Sequence, residues 1–69
     1  MNQVFKSVRK LRGLTQDEAA ELIGVKAQQV GRWERGEYEP DASEIDAMCE
    51  AYHVTADQLL GRKPLVSAD

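Results

Sequence analysis

The sequence predicts an all-α fold built from five short helices. Three observations carry that prediction. Apolar residues recur at spacings of three and four, as they do along one face of a helix. Glycines and capping patterns of the form Thr-x-x-Glu or Thr-x-x-Gln mark where periodic stretches stop and start. No stretch alternates apolar and polar residues with the period of a strand.

The chain has 69 residues, which suits one small domain. Cys49 is the only cysteine and His53 the only histidine, so neither an internal disulfide nor a Cys/His zinc set can staple it. Stability must come from packed apolar side chains. The N-terminal stretch lacks the apolar run of a signal peptide, and no stretch is apolar enough to span a bilayer. The expectation is a cytoplasmic protein with no cofactor, no metal and no membrane partner.

The first helix follows from Val4, Phe5, Val8 and Leu11, with Lys6, Arg9, Lys10 and Arg12 around its other faces. Positive charge in its last turn suits the helix dipole, and Gly13 stops it. Thr15 and Glu18 form a capping box that opens the second helix, which runs to about Ile23 and stops at Gly24. A third helix opens near Lys26 or Ala27 and ends before Gly36. Gly36, Pro40 and the acidic residues between them make a loop. Asp41 caps a fourth helix carrying Ile45, Met48, Cys49 and Tyr52 on one side, and Thr55 with Gln58 opens a short fifth helix closed by Gly61. Residues 1–61 therefore form the domain, and residues 62–69 read as a flexible tail or linker.

Helices two and three are joined by so few residues, with glycine at the elbow, that they must cross steeply as a helix-turn-helix unit. That geometry buries Ala20, Ile23, Val25, Val30 and Trp33 between them, and the small residues Ala19 and Ala20 allow close approach. Gln28, Arg32 and Arg35 then share the outward face of helix three. A glutamine amide offers a donor and an acceptor that match the edge of adenine, and an arginine fork matches the two acceptors of guanine. Exposed glutamines are ordinary on helix surfaces; their place in a tight helix pair is what turns them toward recognition. Gly31 beside them costs about 1 kcal/mol against alanine in a helix interior, which points to a need for close approach.

Net charge is −3, and it is unevenly spread. Residues 1–36 carry seven Lys/Arg and four Asp/Glu, a net +3, whereas residues 37–69 carry two and eight, a net −6. A basic face beside an acidic one suits polyanion binding, or follows from chance in a short charged chain.

The stretch "GLTQDEAAELIGVKAQQVGRWERGEYEPD", preceded by "VRKLRGLTQ" and followed by "AYHVTADQLL", resembles the lambda-repressor-like (Cro/repressor, XRE-type) helix-turn-helix transcriptional regulators over about residues 4–61. The resemblance implies a compact five-helix DNA-binding domain whose third helix enters the major groove. It implies base-reading positions at Lys26, Ala27, Gln28, Gln29 and Arg32, with Ala27 placed to touch a thymine methyl. It implies phosphate contacts from Gln16 and Arg35, and a bridge between Arg9 and Glu34 that ties helix one to helix three. Tyr38 lies in the exposed loop, free in solvent or against sugar-phosphate; we assign it to the phosphate contacts. Trp33 could stack on a base, but its place beside Val30 makes it a core residue. Phe5 and Tyr52 read as core too, whereas Leu11, Leu22, Leu59, Leu60, Leu65 and Val66 are candidates for partial exposure, some of them for a dimer surface.

Four departures from the family pattern stand out. Lys26 replaces the usual Ser or Thr cap of helix three, at about 1 kcal/mol, and can instead reach a phosphate. Ala19 stands where leucine is frequent, leaving less core. Glu37 and Glu39 fall where basic residues are common and would repel phosphate. His53 stands at a helix end where Gly or Asn is preferred, in a conformation of positive φ. The resulting expectation is a sequence-specific regulator, a repressor binding double-stranded DNA as a homodimer on a palindromic operator. The alternative is a protein-interaction module of antitoxin type, using the acidic C-terminal half. No Gly-rich phosphate loop, metal-ligand cluster or nucleophile-base set supports an enzyme.

Overall fold

Capping chemistry sets the element boundaries in a computed structural model that describes residues 3–64. The elements are α1 (Gln3–Leu11), α2 (Gln16–Ile23), α3 (Ala27–Arg35), α4 (Ala42–Tyr52) and α5 (Ala56–Leu59), with no strand among the described residues. Thr15, Asp41 and Thr55 each accept from the backbone N–H three residues on, while Glu18, Glu44 and Gln58 reach back to the cap residue's own N–H. These three reciprocal boxes satisfy amides that a bare helix start leaves unpaired, and each cap contributes about 1 kcal/mol. Lys26 makes no side-chain cap bond at the start of α3, as its chemistry predicts.

The core joins all five helices. Phe5 and Val8 enter from α1, Ala19 and Ala20 from α2, Val30 and Trp33 from α3, Met48 and Tyr52 from α4, and Leu59 from α5. Val54, between α4 and α5, completes it. The two alanines let α2 pack against both α3 and α4, while α1 packs on α3 and α5. Fully burying an aliphatic or aromatic side chain of this kind contributes about 1.5–3 kcal/mol. Among the described residues no helix is long and apolar enough to cross a membrane.

The structure corrects two sequence expectations about burial. Leu59 is not partly exposed: it is wholly buried, while its neighbour Leu60 stays 44% exposed. Adjacent residues on one helical turn point about 100° apart, so only one of the pair can anchor α5. Ile23 and Val25 were expected to be buried between α2 and α3, yet they are only half-buried, at the rim of the core. They flank Gly24, whose left-handed φ of 91° turns the chain out of α2. Leu11 and Leu22 are exposed as expected, and Leu65 and Val66 lie outside the described residues.

His53 ends α4 with φ 55°, and it is the one non-glycine residue of positive φ among those described. That conformation costs on the order of 1–2 kcal/mol in an L-residue. Arg12 supports it from α1's end: its Nε donates to the Tyr52 carbonyl at 2.6 Å and its Nη2 to the His53 carbonyl at 2.9 Å. The guanidinium thus caps carbonyls that the end of α4 leaves open, where positive charge suits the dipole. Beyond α5, the N–H groups of Arg62 and Lys63 donate to the Asp57 carbonyl, and Gln58 Nε2 donates to the Pro64 carbonyl.

Candidate nucleic-acid interface

The orientation of α3 is set from below by three buried side chains. Val30 and Trp33 are each 1% exposed, and Glu34 is 6% exposed. A carboxylate this deep requires a partner. Arg9 supplies it, with Nε donating to Oε2 at 2.6 Å and Nη2 to Oε1 at 3.0 Å. Hydrogen bonding to Glu34 holds the Arg9 guanidinium's pKa above its ordinary value, against the opposing effect of burial. Arg9 Nη1 also donates to the Leu14 carbonyl at 2.8 Å, and Gln16 Nε2 donates to Glu34 Oε1 at 3.1 Å. The Glu34 carboxylate therefore ties α1 and α2 to α3, and Arg9 also holds the turn before α2. This is the bridge expected of Arg9 and Glu34.

With Val30, Trp33 and Glu34 turned inward, the period of 3.6 turns residues 28, 32 and 35 outward. Gln28, Arg32 and Arg35 are exposed. Lys26, Gln28, Gln29 and Arg32 line an open groove of about 560 Å³ together with Val25, Tyr38 and Glu44. The groove presents two cationic heads and two amides, each amide with donors and an acceptor. Such a set suits hydrogen bonding to flat polar edges more than enclosure of a small apolar ligand. Ala27 stands apart: it is half-buried and packs against the core. Gln29 is half-buried on the groove wall, and Tyr38 is 55% exposed in the loop after α3.

Gly31 is buried within α3, and the close approach inferred for it is made by the protein's own donors. A Cβ at this position would sit 3.0 Å from Arg35 Nη1 and 3.6 Å from Gln16 Nε2. Glycine therefore lets a guanidinium from α3 and an amide from α2 converge over the bare backbone. Arg35 is also ion-paired through Nε with Glu37 at 2.5 Å, a link no local pattern announced. That hydrogen bond raises the Arg35 pKa and lowers that of Glu37.

The structure thus brings the candidate residues together in three places. Lys26, Gln28, Gln29 and Arg32 meet in the groove with Tyr38. Gln16 and Arg35 meet over Gly31. Arg9, Glu34 and Trp33 form the support beneath. Sequence reasoning missed Glu44 on the groove wall, although Asp41 followed by Glu44 repeats the capping pattern read elsewhere. It also missed Arg12 as a cap of α4, 40 residues away along the chain, for which no local signal exists.

Comparison with known proteins matches this geometry. The family model described as helix-turn-helix matches residues 5–59. The HTH-type transcriptional activator BcrR of Enterococcus faecalis is 27% identical over 66 residues, 96% of this chain and 32% of its own length. The antitoxin PezA of Streptococcus pneumoniae is 29% identical over 63 residues, 91% of this chain and 40% of its own length. The chain therefore spans well under half of either relative. The solution structure of the DNA-binding domain of the P22 c2 repressor superposes with a TM-score of 0.84 at 26% identity, covering 100% of this chain and 96% of that one.

Proposed function

The chain belongs to the lambda-repressor-like helix-turn-helix family of transcriptional regulators, and from that premise we propose that it binds double-stranded DNA sequence-specifically through the exposed face of α3. The observation that carries this reading is the split of one short helix. Val30, Trp33 and Glu34 are locked into the core, while Gln28, Gln29 and Arg32 line one open groove with Lys26. In the proposed complex Gln28 and Gln29 read adenine edges, Arg32 reads guanine, Lys26 reaches a base or an adjacent phosphate, and Ala27 meets a thymine methyl. Gln16, Arg35 and Tyr38 contact the sugar-phosphate backbone and fix the register. A single α3 covers few base pairs. Two copies related by a two-fold axis, with half-sites about 34 Å apart, would supply affinity on a palindrome and act as a repressor. In this reading residues 1–61 carry the DNA-binding function, residues 62–69 are a tail or linker, and the protein works in the cytoplasm.

Selection of bound sequences from a random duplex pool tests the reading. The wild type enriches one motif. Arg32→Ala relaxes preference at one position of it, losing about 1–3 kcal/mol of discrimination there. Gln16→Ala weakens binding to all sequences alike. An even loss of affinity from both variants contradicts this division of roles. The likeness to PezA, together with the net −6 of residues 37–69, favours a second reading in which the acidic half also binds a protein. Absence of any enriched motif would leave that reading in first place.

A further inference from the structure

Arg35 already holds an anion in the free protein. Its Nε donates to Glu37 Oε2 across Gly36, the left-handed residue that ends α3 at φ 76°. The Glu37 N–H donates back to the Arg32 carbonyl at 3.0 Å, so the helix cap itself delivers the Glu37 side chain to Arg35. Both side chains remain more than half exposed, at 56% and 55%. Arg35 therefore sits at the edge of the DNA-facing surface, over Gly31 and beside the Gln16 amide, with its charge already balanced. Arg32 adds to the attraction that keeps Glu37 ionised.

We propose, resting on the DNA-binding reading above, that Glu37 is an internal stand-in for phosphate: a backbone phosphate engages Arg35 only by displacing the Glu37 carboxylate. Its consequence lies in the sequence-independent part of affinity. A cation that neutralises a phosphate releases a condensed counterion, and that release makes binding strong at low salt. A guanidinium exchanged from a carboxylate leaves that carboxylate unpaired beside the duplex, and the two charges together release little. Exposed ion pairs hold side chains in place only weakly, so lost net charge outweighs any gain in positioning. Glu37 thus restrains binding to arbitrary DNA and leaves the base contacts of α3 to decide occupancy. The residue acts through Arg35, in contrast to a diffuse repulsion by the acidic loop.

Salt titrations of affinity for a random-sequence duplex, with wild type, E37Q, R35A and R35A/E37Q, test the exchange. The expected result is tighter binding by E37Q, with a plot of log affinity against log salt steeper by about 0.9. Its advantage then falls about eightfold for each tenfold rise in salt. In the R35A background, where only repulsion by the unpaired carboxylate is left to remove, the E37Q gain is clearly smaller than in the wild-type background. Equal or weaker binding by E37Q overturns the exchange, and a gain of undiminished size without Arg35 shows repulsion alone and overturns it too. If no variant binds duplex in a salt-dependent way, the DNA-binding reading fails together with the exchange. Binding by the wild type with E37Q unchanged sinks only the exchange. Equal urea midpoints for wild type and E37Q establish that folding is not what changed.

Discussion

Arg9→Met strands a carboxylate in the core, and its cost can be worked from the contacts. Methionine keeps much of the apolar volume of the arginine stem, so packing changes little and the charged head is what is lost. Glu34 is 6% exposed and loses both guanidinium bonds, at 2.6 and 3.0 Å. Among the described residues, only the Gln16 amide, at 3.1 Å, still donates to it. Removing one member of a buried ion pair costs about 3–5 kcal/mol. A 69-residue chain at about 0.05–0.15 kcal/mol per residue has about 3–10 kcal/mol in total. Arg9→Met should therefore lose from about a third to all of its stability at 25 °C. The double variant Arg9→Met/Glu34→Leu removes both charges and should recover most of the loss, because apolar replacement of a whole buried pair is often neutral. Trp33 is the only tryptophan and is 1% exposed, so urea unfolding followed by its fluorescence reads the effect directly. A loss below about 1 kcal/mol for the single variant would refute a buried, charge-dependent tie. A double variant no more stable than the single one would show that packing, not charge, was responsible.

Three further outcomes follow from particular contacts. Gly31→Ala gains up to about 1 kcal/mol of helix propensity, yet its Cβ, 3.0 Å from Arg35 Nη1, pushes the guanidinium off the helix; thermal melting should show a protein no less stable, while duplex binding weakens. Tyr52 is wholly buried, and burial first, with the Glu34 charge second, pushes its hydroxyl's pKa up to about 12. The unfolded chain ionises this group near pH 10 and the folded chain does not, so stability present below about pH 10 falls as pH rises toward 12, by roughly 2–3 kcal/mol; Tyr52→Phe should remove that loss in urea titrations at matched alkaline pH. Arg12→Ala frees two carbonyls at the end of α4 and should lower stability by about 1–2 kcal/mol, read as a drop in melting temperature of several degrees.

Most of the architecture was legible because local rules and the final fold agree. Thr15–Glu18 and Thr55–Gln58 declare their helices in four residues each, and the structure forms both boxes. Val30 and Trp33 sit three apart, a spacing that by itself places them inward and Gln28 and Arg32 on the opposite, outward face. What stayed hidden is non-local or depends on competition. Arg12 reaches α4 only because α1 ends beside it. Leu59 and Leu60 are equivalent by composition, and only the packing of α5 selects Leu59 for the core. Glu37 read as a repulsive charge near phosphate, whereas its side chain turns back to Arg35, an arrangement that depends on the left-handed turn at Gly36. The Arg9–Glu34 pair lies between these cases: 25 residues separate its members, and only the family resemblance pointed to it.

The most direct test of the α3 reading is a nuclear magnetic resonance titration of isotope-labelled protein with the selected duplex. The side-chain amides of Gln28 and Gln29 and the Nε–H of Arg32 are the reporters. The account predicts that these resonances shift most and show contacts to base protons in the major groove, while the Trp33 indole stays unperturbed in the core. Shifts confined to α4 and α5, with the three groove side chains unmoved, would contradict it.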